Sequence, residues 1–200
     1  MTPSATVGSL RRRVALACAT VAGARAATAD AGVVEEVSGK ASATGKQGTR
    51  ELTPRDGLFI GDQVATGALS RARLALGRDT IVRLGENANL RIDQFIADAG
   101  GALSIGNGAV LLDKTPSKGP TRLRGLFGLI TVRGTRVFAG PSNGVIGVFV
   151  AHGVVDLTSG GATVTLHDGE GSDVARRGAR PTPPKAWGPG RVAAALASVE

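Results

Sequence analysis

A few stretches of the chain carry the kinds of side chain that do chemistry. Gly140-Pro141-Ser142-Asn143-Gly144 has the G-x-S-x-G spelling of a hydrolase nucleophile elbow. That elbow needs a strand–Ser–helix context and a later acid and histidine. Here a valine-rich strand, Val145 to Val150, follows the serine, and Pro-Ser-Asn-Gly is a turn by composition. His152 and His167 stand fifteen residues apart, each next to a turn residue, a spacing that fits no zinc site. Asp168-Gly169-Glu170-Gly171-Ser172-Asp173 puts oxygen ligands on alternate positions like a calcium loop, without the closing glutamate or the length of an EF-hand. Glu86, Asp93 and Asp98 are candidates for acid–base pairing, but a glycosidase built on them would carry sugar-stacking aromatics, and aromatics are 3% of the chain. Cys18, the single cysteine, lies near the N-terminus and leaves the body no thiolate for catalysis or metal binding. The reading is therefore of no catalytic residues, no cofactor and no metal: a protein that is not an enzyme.

The elements that would position such groups are short strands. Thirty glycines in 200 residues is about twice ordinary usage, and they fall between runs of Val, Ile and Leu. An apolar content of 42% argues against disorder. Gly32 to Ala41 reads as a strand broken at Gly39, residues 44–57 as polar and turn-rich, and Leu58 to Gly67 as the next extended segment. Ser70 to Leu76 alternates arginines with small or apolar residues on period two; Thr80 to Leu84 and Asn89 to Ile92 follow. From Gly125 to Leu157 come Leu129–Val132, the punctuation Arg133-Gly134-Thr135, Arg136–Ala139, a turn at 140–144, Val145–Val150, and a tight reversal at His152-Gly153 into Val154–Leu157. The Arg-Gly-Thr step reads as a structural corner. These patterns predict an all-β fold, a compact roll or irregular β-solenoid of many short strands, with a short C-terminal helix.

The two ends differ from the body. Arg11-Arg12-Arg13, an apolar run from Val14 to Gly23 and the A-x-A sites at 24–26 and 27–29 read as a signal peptide over residues 1–29. Residues 30–173 hold fifteen basic and fifteen acidic side chains, so the formal charge of +8 belongs to the ends. A nucleic-acid surface would show as a basic stripe on the body, and no nucleic-acid partner is expected. No later segment approaches the ~20 apolar residues of a membrane span. Residues 174–200 form a basic, proline-rich tail: an extended linker from Ala175 to Pro189, then an alanine-rich helix that either packs back or frays.

Five motifs in order resemble the FecR-type domain family. They are Gly61-Asp62 to Thr66-Gly67, Ser70 to Leu76, Asp79-Thr80 to Gly85, Leu90 to Asp93 and Phe95, and Val132-Arg133-Gly134-Thr135 followed by the strand pair around Gly153. The resemblance spans roughly residues 32–172. It departs in the Asp79-Thr80 turn, which lacks the family's glycine, at Ala97 where an aromatic is common, and in the polar stretch 113–124. It implies that these motif residues are structural. It also implies a free-standing periplasmic domain that is a non-enzymatic protein-interaction module, possessing a signalling-related role and a protein partner in the cell envelope. The alternative it leaves open is a ligand- or cell-wall-binding accessory domain.

Overall fold

A computed structural model describes Met1 and residues 30–96, 100–116 and 119–200. The leader expected at 1–29, with Cys18, lies outside the described residues apart from Met1, as do Ala97 and Asp98. Two nine-stranded sheets face each other. Sheet A holds β1 (Asp30–Ser38), β4 (Gly57–Phe59), β6 (Arg71–Leu76), β7 (Thr80–Leu84), β10 (Val110–Lys114), β13 (Arg136–Ser142), β14 (Val145–His152), β17 (Glu170–Val174) and β18 (Lys185–Ala186). Sheet B holds β2 (Ala41–Gly45), β3 (Gly48–Glu51), β5 (Gln63–Thr66), β8 (Asn89–Ile96), β9 (Gly100–Ile105), β11 (Thr121–Gly125), β12 (Gly128–Val132), β15 (Val155–Ser159) and β16 (Ala162–Leu166). One helix, α1 (Pro189–Ala197), closes the chain.

The fold is all-β, as the strand patterns predict. The chain makes a strand or a hairpin in one sheet, then crosses to the other. Along sheet A the order is β4-β1-β6-β7-β10-β13-β14-β17-β18, and along sheet B β3-β2-β5-β8-β9-β11-β12-β15-β16. Position in the sequence therefore maps almost directly onto position along the roll. Pairing is antiparallel except between β9 and β11, where β10 is spent in the other sheet.

Period-two alternation puts Ala72, Leu74 and Leu76 of β6 and Val82 and Leu84 of β7 on the inner face. They join Val64, Leu90, Ile92, Leu103, Leu123, Ile130, Val132 and Leu157 of sheet B in one core. Leu74 is fully buried, so Leu74→Ala should cost ~2–5 kcal/mol.

Within the turn-rich stretch 44–57, β3 pairs with β2 through Thr44↔Thr49, around a two-residue turn. Two local readings need correction. Gly140, Pro141 and Ser142 belong to β13, and the turn is only Asn143-Gly144, both with positive φ (52° and 76°) as a two-residue hairpin of this twist requires. His152-Gly153 does reverse the chain, but it joins no hairpin: β14 lies in sheet A and β15 in sheet B.

The tail is fastened along its length. Ser172 Oγ donates to the Thr182 carbonyl at 2.7 Å, and the Thr182 N–H donates to the Asp173 carbonyl at 2.9 Å. β18 then pairs with β17, and α1 starts with Pro189 at its first position, where the missing N–H costs nothing. The helix lies on the outer face of sheet A, where Ala195 and Val199 join Ala109, Leu111, Phe138, Phe149 and Trp187 in a second apolar cluster. Trp187 stacks on Phe149 (centroids 5.1 Å) and meets Phe138 edge-on (6.4 Å). Arg191 covers the indole at 3.6 Å and bonds Asp173 (2.6 Å) and Ser142 (2.9 Å). Gly171 gives the indole its room, since a Cβ there would lie 2.2 Å from Trp187 Nε1. The helix therefore packs back, held by an aromatic anchor that short isolated helices lack.

Candidate interaction surfaces

The side chains that could do chemistry are dispersed and spent on turns. Ser142 Oγ accepts a hydrogen bond from Arg191 Nε at 2.9 Å. His152 Nδ1 lies 3.2 Å from Asp168 Oδ2, both well exposed, while Asp168 Oδ1 also accepts the Gly153 N–H at 2.5 Å. Glu170 turns back to the His167 N–H (2.9 Å), and Asp173 holds Arg191 and Lys185. The carboxylates of the 168–173 stretch thus look to separate partners, and among the described residues no group of three or more His, Cys, Asp or Glu could hold a metal ion. Glu86 accepts the Leu69 N–H (3.0 Å), and Asp93 pairs with Arg91 (3.2 Å) and Ser104.

The motif residues sit at corners and turns. Gly61 (φ 94°) and buried Asp62 close the turn into β5; Asp62 Oδ2 accepts from Arg50 Nη2 (2.6 Å) and the Phe59 N–H (3.1 Å). Thr66 Oγ1 donates to the Gly85 carbonyl (2.7 Å) and accepts the Ala88 N–H (2.9 Å), and the Gly67 N–H reaches the Lys40 carbonyl. Asp79 accepts from Thr80 Oγ1 (2.9 Å) and from the fully buried Lys114 Nζ (2.7 Å). Phe95 is buried over Gly77 and Gly101. Val132 ends β12 in the core, Arg133 faces solvent, and Gly134 turns the chain into the other sheet with φ 68°. Buried Thr135 then bonds the Val154 carbonyl at the neighbouring crossing, where Gly153 has φ 95°.

Two surfaces stand apart from these fixtures. The first is the sheet edges. Sheet A ends in strands of two and three residues, β18 and β4, which offer little backbone to a partner. Sheet B ends in β3, which carries Arg50 and Glu51, and in β16, ATVTL, which carries neither charge nor proline. Among the described strands β16 pairs only with β15, and it shows Thr163 and Thr165 to solvent.

The second is a row across the outer face of sheet A. Cross-strand register aligns Glu36, Arg73, Arg83, Leu111, Phe138 and Phe149. Its apolar half is roofed by α1 and Trp187. Its charged half borders a pocket of about 360 Å³, lined by Arg71, Arg73 and Arg83, Glu36 and Ser38, and Val199 and Glu200 beyond α1. Charge counting along the sequence misses this cluster because the body is neutral as a whole. The signal available was the period-two run at Arg71 and Arg73, which puts both guanidinium groups on one face.

Residues 62–156 match the family described as FecR protein. The chain thus resembles a FecR domain over just under half of its length. No curated protein matches the chain. Two crystal structures of "a putative anti-sigma factor" from Parabacteroides distasonis ATCC 8503, at 1.65 and 2.50 Å, share its fold with a TM-score of 0.56 each. They are 17% and 16% identical to it over 67% of this chain. The chain matches just under two thirds of theirs, 64% and 63%. The FecR match begins at Asp62 and ends within β15, so the open strand β16 and the strap from β17 to α1 lie beyond it. Among the described residues, no helix is long and apolar enough to cross a membrane.

Proposed function

We propose that this protein is exported to the periplasm and acts there as a non-enzymatic FecR-type interaction module in signalling, docking a protein partner by strand addition along β16. The observation that carries the docking mode is the open edge of sheet B, a five-residue strand paired on one side only and free of charge and proline. Backbone pairing along such an edge needs neither a charged surface nor a stacking platform. The non-enzymatic reading is supported by the spending of the serine, histidines and carboxylates on turns and ion pairs. The export reading rests on the order of charge, apolar run and small residues across 1–29.

The test is site-specific photo-crosslinking in cells, with the crosslinker at Thr163 or Thr165 and, as a control, at Arg122 in the middle of sheet B. Crosslinks to one envelope protein from β16 alone are expected, and Thr163→Lys/Thr165→Lys should abolish them without changing the melting temperature. Crosslinks from Arg122 alone would overturn the docking mode. N-terminal sequencing of the envelope fraction tests export: an intact Met1 found only in cytosol refutes it.

A further inference from the structure

We propose that the pocket between β6, β7 and the end of α1 is an oxyanion site, taking a carboxylate or phosphate group on the guanidinium groups of Arg71, Arg73 and Arg83. The site is distinct from the β16 edge and does not depend on it.

The argument begins with a conflict in the sheet. Arg73 and Arg83 are directly opposed across β6 and β7, and like charges in that relation destabilise a strand pair. Each neighbouring acid accounts for part of the positive charge. Glu35 Oε2 lies 2.5 Å from Arg73 Nε, and Glu200 is engaged by Arg136 at 2.6 Å. Glu36 faces Arg73 from β1, two strand spacings or about 9.5 Å from β7 at the backbone. Asp113 stands in the next row, opposite Ile81 and Arg136. Among the described residues no ion pair or hydrogen bond to Arg83 is found, and its Nη1 is buried without a partner.

The rival account makes the arginines clasps for the end of α1. It holds for Arg71, whose Nη2 donates to the Ala197 carbonyl at 3.0 Å, and for Arg136 with Glu200. It does not explain Arg83, nor Arg71 Nε, which is also buried and unpartnered. Arg71 and Arg83 both line the one opening. A planar carboxylate or a phosphate accepts from several guanidinium donors at once, and such bonds are among the strongest available to a polar site. Placed there, its charge would also relieve the Arg73–Arg83 opposition. A volume of about 360 Å³ exceeds what a bare phosphate fills, so the oxyanion has room to arrive on a small organic body or on an acidic peptide side chain.

Calorimetric titration of the purified protein with inorganic phosphate, succinate and a hexaglutamate peptide tests this. Saturable binding of at least one probe is expected, weakened roughly tenfold or more by Arg83→Gln and unchanged by Arg122→Gln, an exposed arginine of sheet B. The probe that binds best separates a small-anion site from one that takes an acidic protein segment. Melting without any probe gives a second readout: Arg83→Gln should melt at the same or a higher temperature, because it removes the opposition. Absence of binding by all three probes, equal loss in both variants, or a lower melting temperature for Arg83→Gln alone would overturn the proposal.

Discussion

Thr135 Oγ1 donates a 3.0 Å hydrogen bond to the carbonyl of Val154. The two residues belong to adjacent crossings between the sheets, one entering sheet A after β12 and the other leaving it before β15. A single hydroxyl thus ties two corners together. Thr135 is 1% exposed, so Thr135→Val keeps the shape and deletes only the bond. We expect a loss of about 1–2 kcal/mol in chemical denaturation, with no change in the slope of the transition.

Gly134 stands next to it with φ 68°, and a Cβ there would lie 2.9 Å from Pro116 Cγ. Gly161 has a similar φ of 73° and nothing within 4 Å. Comparing Gly134→Ala with Gly161→Ala separates backbone strain from crowding. Both should destabilise, Gly134→Ala by the larger amount, and Gly134→Val by more than ~1 kcal/mol. Equal effects in denaturation would remove crowding from the account of the corner.

Lys114 carries a side chain of 0% exposure, with its ammonium on Asp79. Removing one partner strands the other charge in the core. Asp79→Asn or Lys114→Met alone should cost about 3–5 kcal/mol, whereas Asp79→Asn with Lys114→Met should recover part of that loss. A double-mutant cycle by urea unfolding measures the coupling.

Trp187 is the only tryptophan, so its emission reports on the strap alone. Trp187→Ala should cost ~3–5 kcal/mol and expose Phe138 and Phe149, read as increased binding of a hydrophobic dye. Arg191→Met, which removes the cover on the indole and the link to Asp173, should shift the emission to the red while far-UV circular dichroism keeps its β signature.

Asp56 adds a pH-dependent share of stability. Chiefly the Thr53 N–H and then the Thr53 hydroxyl, with Arg50 nearby, hold its carboxyl below the ordinary aspartate value, against a small opposing effect of burial. The folded state therefore prefers the ionised form. Its stabilising share is present above the unfolded pKa and is lost as pH falls through the lower folded value. Carbon-detected NMR titration of the carboxyl should show the depressed midpoint, and Thr53→Ala should return it part of the way.

Much of the fold is legible in alternation. Arg71, Arg73 and Arg83 announce outer positions because Ala72, Leu74, Val82 and Leu84 fill the inward places beside them. Alternation reports only which face a residue takes, however, and not which sheet its strand enters. That is why His152-Gly153 reads locally as a hairpin although it carries the chain between sheets. A subtler signal lay in Val110-Leu111-Leu112, Val137-Phe138-Ala139 and Val148-Phe149-Val150, apolar without interruption. Strands buried on both faces read this way, and the second cover is the strap. Its docking escapes a local reading because Trp187 meets Phe138 and Phe149 across long stretches of chain. The arginine pocket escapes for the same reason: three neighbouring strands, β1, β6 and β7, and the residues after the helix build it.

The steady advance of both sheets with sequence position bears on how the chain is made. Each new hairpin finds its partner strand already in place, so the body can assemble as the polypeptide emerges, without waiting for a distant segment. The exception is the apolar outer face of β10, β13 and β14, which stays wet until the last residues arrive. Chains truncated before Trp187 should therefore be the sticky ones, and a chaperone that holds this protein while it folds would have its task end when α1 lands.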